Sequence, residues 1–152
     1  MKYSVALGLL LVACGLSAAV WAGSADEVAQ VDQQAIQCFN DGNLDKCVSL
    51  YADDAASTAA LAPFRMEGKE ALHANYAATF HAFPTRRFIP RQTAIRTYGD
   101  STGVLNRYYT ATLADRAGNT TTLHGRQSVM FVKVGGRWLI VDVHTSRLPG
   151  SP

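Results

Sequence analysis

The chain has 152 residues, of which 48% are hydrophobic and 17% are charged. This length and composition suit one compact domain with a substantial core and exclude a second domain of similar size. The formal net charge of +2 is too small to indicate a nucleic-acid surface. A cluster of arginines also lacks the interleaved aromatic side chains of base-stacking platforms; it comprises Arg86, Arg87, Arg91 and Arg96.

Residues 1–25 predict an export signal, which places the mature protein in the periplasm or outside the cell. Lys2 supplies a positive end, and the segment from Val5 to Val20 is apolar but too short for a membrane span. Small residues offer cleavage sites near Ala22 and Ala25. The stretch around Cys14 also resembles a lipobox, whose cysteine would be lipidated and would tie the protein to a membrane. We favour ordinary cleavage because the apolar run continues past Cys14.

Two helices are predicted at the start of the mature domain, which we place at residues 26–149 with a short tail at 150–152. Ser24 and Glu27 form a capping-box pattern, and apolar residues recur at helical spacing as far as about Asn40. Asp41 and Gly42 end this helix, and Asn43 can cap a second one with an apolar side that reaches Tyr51. The pattern predicts a tight helical hairpin.

Cys38 and Cys47 lie on the inner sides of these two helices. They form the only cysteine pair left after export, and an oxidising compartment favours a disulfide between them. The alternative is two buried free thiols, since cysteine also behaves as a small hydrophobic residue.

The rest of the chain predicts one more helix followed by a sheet. Residues 55–62 are small and fit either a short edge strand or a loop. Gly68 opens a helix that runs to about Phe83, and Pro84 ends it. Four strands then follow, the last two joined by the tight turn Gly135-Gly136. Helices first and an antiparallel meander afterwards indicate an α+β fold with the helices on one side of the sheet.

The last strand carries two ionisable residues in an otherwise apolar segment. Simple alternation places Asp142 and His144 on the same sheet face as Trp138 and Ile140. Because burial of a lone charge is costly, the pair is expected either to be partnered or to be functional.

Several segments together resemble the SnoaL-like branch of the nuclear transport factor two-like superfamily, and the ending is similar to the association domain of calcium/calmodulin-dependent protein kinase II and its bacterial relatives. The resemblance covers about residues 28–149. It is carried by Cys38 to Asp45, Leu50 to Ala55, Gly68 to Leu72, Tyr108 to Thr110, Arg126 to Ser128, and Gly136 to Ser146.

The resemblance implies a curved antiparallel sheet wrapped around a long helix, forming a cone that admits a small molecule. It also implies dimerisation through the outer sheet face. Members include enzymes, binding proteins and oligomerisation modules, so the fold alone does not select a function. Bacterial relatives often carry histidines at the positions of Asp142, Val143 and His144, and only the third is histidine here.

We therefore expect a small, mainly apolar ligand with one polar or acidic group. Arg126, Asp142 and His144 would orient it, and Tyr76, Phe80 and Tyr108 would form walls. Each of these residues also has a structural interpretation: an ion pair or solvated strand end for Arg126, a hydrogen bond closing the sheet for the pair in the last strand, and core packing for Tyr76 and Phe80.

Two alternatives stay open. One is an isomerase, cyclase or hydrolase with His144 as base and Asp142 as its orienting carboxylate. The other is a homo-oligomeric interaction module. The four histidines have no metal-ligand spacing and no cofactor fingerprint is present, so we predict neither a metal nor a cofactor.

Overall fold

The computed structural model describes residues 23–150 as three helices and six strands. In chain order these are α1 (Ser24–Asp41), α2 (Leu44–Ser49), β1 (Tyr51–Thr58), β2 (Met66–Glu67), α3 (Gly68–Ala82), β3 (Thr85–Tyr98), β4 (Thr102–Ala114), β5 (Thr120–Val134) and β6 (Arg137–Arg147). Cys14 and residues 1–22 of the predicted export signal lie outside the described part. Within that part, no helix is both long and apolar enough to cross a membrane.

The strands form one curved sheet in the order β2-β1-β6-β5-β4-β3, with the helices on its concave face. Strands β3 to β6 make the predicted antiparallel meander, while β1 pairs parallel to β6. Both glycines of the Gly135-Gly136 turn have positive φ, as a tight primed turn requires. The predicted α+β fold is confirmed.

Strand β1 contains the first half of the segment 55–62, which the sequence left open as a strand or a loop. It begins at Tyr51, a residue that the helical pattern had assigned to the second helix. The change follows from backbone pairing, because the Ile140 N–H donates to the Leu50 carbonyl at 2.9 Å. The chain therefore joins the sheet directly after the last turn of α2.

The start of α1 differs in detail from the predicted capping box. The N-cap residue is Gly23, whose N–H donates to the Asp26 carboxylate at 3.2 Å. Glu27 is thereby free for a longer-range role: its carboxylate accepts hydrogen bonds from Lys133 at 2.6 Å and from the Trp138 indole at 2.7 Å. The hydrogen bond and positive charge of Lys133 lower the pKa of Glu27, and the contact ties α1 to the β5–β6 hairpin.

The predicted disulfide joins Cys38 at the end of α1 to Cys47 in α2. Both cysteines are buried in the main core, which also contains Val28, Leu72 and Phe131. This core lies between the helices and the concave face of the sheet. The helices cover only part of that face and leave a cavity beside the core.

Candidate ligand-binding cavity

A cavity of about 490 Å³ lies between α1, α3 and the concave sheet face. The loop from Ala59 to Pro63, which follows β1, forms part of its rim. Most of the wall is apolar, with contributions from Leu72, Leu113 and Val129 among others. Volume and lining both fall in the range usual for sites that bind small molecules.

A chain of buried and half-buried polar side chains crosses one wall of this cavity. The Arg107 guanidinium in β4 donates to the Asp32 carboxylate of α1 at 2.8 Å and, through two of its nitrogens, to the Gln127 carbonyl of β5. The Gln127 amide in turn donates to the Thr145 hydroxyl of β6 at 3.3 Å. Four elements thus position one guanidinium, which also lies 4.9 Å from the centre of the Phe88 ring.

Burial shifts the pKa of Asp32. It raises the pKa of this carboxyl, and the charge and hydrogen bond of Arg107 act in the opposite direction. The side chains of Arg107 and Asp32 are only 4% and 10% exposed. Each charge of this buried ion pair depends on the other, because either charge alone would be buried without compensation.

Two tyrosine hydroxyls form a second polar point in the wall. The Tyr51 oxygen, at the start of β1, lies 2.8 Å from the Tyr76 oxygen of α3. Burial raises the pKa of both hydroxyls, at Tyr51 well above its usual value. Both phenols therefore keep their protons at neutral pH and can donate hydrogen bonds.

The aromatic end of the cavity depends on a glycine. The Tyr109 ring stacks on Phe88 with ring centres 4.9 Å apart and lies across Gly125 of β5. A Cβ added at Gly125 would overlap the Tyr109 ring, so only glycine allows this close approach. The sequence leaves open which of the two adjacent tyrosines points inward, and the structure assigns Tyr109.

A β-bulge in β6 determines where Asp142 and His144 point. Phe131 of β5 is paired with Ile140, but the preceding residue, Met130, is paired with Asp142. Val141 is therefore an extra residue, and one inserted residue exchanges the two faces of the strand beyond it. The expectation that Asp142 and His144 share the face of Trp138 is wrong for this reason.

Downstream of the bulge, Val143 and Thr145 face the cavity, while Asp142 and His144 point to the convex face. His144 is exposed there, and Asp142 lies 3.9 Å from the Arg65 guanidinium. Their use as an acid–base pair stays a prediction, and any such chemistry would take place outside the cavity.

The other predicted site residues are divided between the two faces. Tyr108 and Arg126 are paired across β4 and β5 on the convex face, and Tyr108 is 44% exposed. Tyr76 lines the cavity. Phe80 packs beside it, against the Phe39 ring and under the Arg86 guanidinium, as part of the core. A ligand-binding role for the convex residues stays a prediction.

Except for Tyr76, the polar residues of the cavity escaped the sequence analysis, although the pattern marks two of them. Asp32 interrupts the apolar stripe of α1 four residues after Val28. Arg107 likewise interrupts an apolar alternation between Leu105 and Tyr109. A charged residue inside an apolar stripe is the signal that could have found them.

The curved sheet with helices on its concave face defines the class: this is a nuclear transport factor two-like protein with the cone-shaped fold. A structure from Salmonella enterica serovar Typhimurium LT2, described as a nuclear transport factor 2 (NTF2-like) superfamily protein, is similar with a TM-score of 0.76 and 20% identity. The match covers 85% of this chain and 94% of that one.

A second similar structure is a candidate calcium/calmodulin-dependent protein kinase II association domain from Xanthomonas campestris, with a TM-score of 0.75 and 23% identity over 82% of this chain and 87% of that one. A third is a candidate scytalone dehydratase from Novosphingobium aromaticivorans DSM 12444, with a TM-score of 0.74 and 13% identity over 81% and 83% of the two chains. At these identities the likeness concerns the fold. The curated proteins include no match to the chain.

The family model of the calcium/calmodulin-dependent protein kinase II association domain matches residues 24–149. The chain therefore belongs to this family. The match spans every helix and strand of the described part of the chain.

Proposed function

We propose that the protein binds a small, mainly apolar molecule in the cavity between the helices and the concave sheet face. The observation that carries this proposal is a volume of about 490 Å³ with an apolar wall and a few gathered polar groups. Arg107 with Asp32 and the two tyrosine hydroxyls would orient the ligand. The convex residues Arg126 and His144 would not take part.

A matched pair of substitutions tests this proposal. Ala111 is buried and lines the cavity, whereas its neighbour Thr112 faces the other side of β4 and is partly exposed. Ala111→Phe should fill the cavity, and Thr112→Phe adds the same ring on the outside. A panel of apolar molecules that each carry one oxygen-containing group serves as the ligand set in a thermal-shift assay.

At least one member of the panel should raise the Tm of the wild-type protein and of Thr112→Phe, since a ligand that binds only the folded state stabilises it. The same molecule should leave the Tm of Ala111→Phe unchanged. Equal shifts in both variants would contradict the cavity as the site, and so would a panel without any binder.

A second candidate function is homo-oligomeric association through the convex sheet face. Two observations favour it: the family is named for an association domain, and this face exposes large apolar side chains, with Tyr108 and Met130 each 44% exposed. A face-to-face dimer with two-fold symmetry would bury these residues against their copies.

Light scattering coupled to size-exclusion chromatography tests this association. The wild-type protein should have twice the mass of the mature chain, and Met130→Glu should shift it toward the monomer because it introduces like charges across the dimer axis. Gln30→Glu, which adds the same charge on the exposed side of α1, should leave the mass unchanged. A wild-type monomer at high concentration, or a Met130→Glu dimer, would contradict this interface.

We also propose that the protein is exported. The signal pattern in residues 1–25 supports export, and the Cys38–Cys47 disulfide is compatible with an oxidising compartment. Expression of the full chain in a bacterial host should yield a shortened protein in the periplasmic fraction. Full-length protein in the cytoplasm would contradict export, and membrane retention abolished by Cys14→Ala would favour the lipoprotein alternative.

A further inference from the structure

The hydroxyl pair in the cavity wall has one hydrogen-bond donor to spare. Two phenols bring two protons, and the 2.8 Å contact between Tyr51 and Tyr76 uses one of them. Within residues 23–150, each hydroxyl is hydrogen-bonded to the other and to no further side chain. The second proton is therefore available to a molecule in the cavity.

The burial of the two side chains indicates which tyrosine holds that proton. Tyr51 is only 5% exposed, whereas Tyr76 is half-buried, and both line the cavity. Tyr76 is thus the phenol more open to a molecule in the cavity. The 2.8 Å contact fits either direction of donation, and the spare proton lies toward the cavity when Tyr51 donates to Tyr76 and Tyr76 donates onward.

The charge balance of the wall limits which chemical group of a ligand can accept this hydrogen bond. Arg107, the guanidinium that lines the cavity, already pairs with Asp32, so these two groups carry no net charge together. A ligand carboxylate would bring an uncompensated charge into a largely apolar space, which is unfavourable. An uncharged acceptor oxygen has no such cost.

We propose that the ligand of this cavity carries an uncharged carbonyl oxygen that accepts a hydrogen bond from the Tyr76 hydroxyl, with Tyr51 as a positioning residue that orients Tyr76. The ligand class is then an apolar ketone, aldehyde or ester rather than an amine or an acid. This inference rests on the proposed ligand-binding function and specifies its polar contact.

Four bicyclic probes of nearly equal size test the proposal: α-tetralone, which carries a ketone; tetralin, which has no polar group; and the amine and the carboxylate of the same skeleton. Dissociation constants are measured by calorimetry for the wild-type protein, Tyr76→Phe and Tyr51→Phe. Tyr98→Phe, a change at an exposed tyrosine of β3, is the matched control.

The ketone should bind most tightly to the wild-type protein and to the control. Tyr76→Phe should weaken its binding about tenfold, the order expected for one lost hydrogen bond, and should leave tetralin unaffected. Tyr51→Phe should have a smaller effect. Infrared spectroscopy gives an independent readout: the carbonyl stretch of bound α-tetralone should shift to lower wavenumber, and Tyr76→Phe should abolish that shift.

The outcomes separate this inference from the proposed function. Equal binding of ketone and tetralin, tightest binding of the amine or the carboxylate, or a carbonyl shift that survives in Tyr76→Phe would overturn the carbonyl contact while leaving the cavity as a ligand site. If none of the four probes binds, the carbonyl contact and the cavity proposal fall together.

Discussion

Arg107 is the residue on which the arrangement of the cavity most depends. Its side chain joins α1, β4 and β5 through Asp32 and Gln127, and it is almost completely buried. In such a site the ion pair is not needed for net stability, but the removal of one partner leaves the other charge buried and unpaired. This asymmetry makes the contribution of the pair measurable.

We expect Arg107→Met to lower the free energy of unfolding by about 3 kcal/mol, because Asp32 then lacks its counter-charge. The double variant Arg107→Met with Asp32→Leu should recover a large part of this loss, since both charges are gone. Urea unfolding followed by circular dichroism measures both values. A double variant as unstable as the single one would contradict the account.

The pH dependence of stability reports on Asp32 directly. Burial raises the pKa of its carboxyl in the folded protein, so the folded state binds the proton more tightly than the unfolded chain does. The ionised group therefore destabilises the fold at neutral pH, and this effect is relieved as the pH falls through the folded-state pKa.

The wild-type protein should consequently gain stability relative to Asp32→Asn as the pH is lowered from about 7 to about 4. The measurement is the difference in the free energy of unfolding between the two proteins at each pH. A wild-type protein that loses relative stability over this interval would show that Arg107 lowers the pKa of Asp32 more than burial raises it.

At the scale of elements, the bulge at Val141 determines which residues of β6 face the cavity and which lie on the convex face. Upstream of it Ile140 faces inward, and downstream Val143 takes over the inward position. Deletion of Val141 would remove the bulge and leave Asp142 and His144 on the convex face, because the remaining residues keep their partners on β5. We expect the deletion variant to unfold cooperatively with a modest decrease in Tm, because Val143 stays inward and no polar group is buried.

Circular dichroism during heating tests the deletion, with Val141→Ala as a control that keeps the bulge. The control should unfold cooperatively with a modest decrease in Tm. A deletion variant that no longer unfolds cooperatively would contradict the assignment of Val141 as the extra residue.

The disulfide stabilises the α1–α2 hairpin on which the cavity wall depends. A crosslink across a sequence separation of 9 residues should stabilise the fold by about 2 to 3 kcal/mol on the chain-entropy model. Replacement of Cys38 and Cys47 by alanine should remove this amount in urea unfolding. Under reducing conditions the wild type should lose most of its advantage over the double variant, and an undiminished difference would contradict the crosslink as its source.

At the scale of the whole molecule, the fold followed from the sequence more readily than the site did. Helical spacing around Val28 and Cys38 and the Gly135-Gly136 turn identify the helices and the last hairpin, because these patterns depend on neighbouring residues. The resemblance to a known family predicted the cone-shaped fold. The parallel pairing of β1 with β6 has no local signature, since it joins segments far apart in the chain.

The site was harder to predict because it depends on one inserted residue. The alternation rule places Asp142 inward only if β6 runs without a bulge, and Val141 is chemically the same as the valines around it. The cavity residues Asp32 and Arg107 are 75 positions apart, and nothing local shows that they meet. Their positions inside apolar stripes do mark them as candidates.

The central claim is that ligands enter the space between the helices and the concave face rather than bind at the convex end of β6. Methyl groups lie on both faces of the sheet, so methyl-labelled nuclear magnetic resonance during titration with α-tetralone tests it most directly. The signals of the inward Leu113, Val129 and Val143 should shift, and those of the outward Val104 and Met130 should not. Shifts confined to Val104 and Met130 would contradict the account.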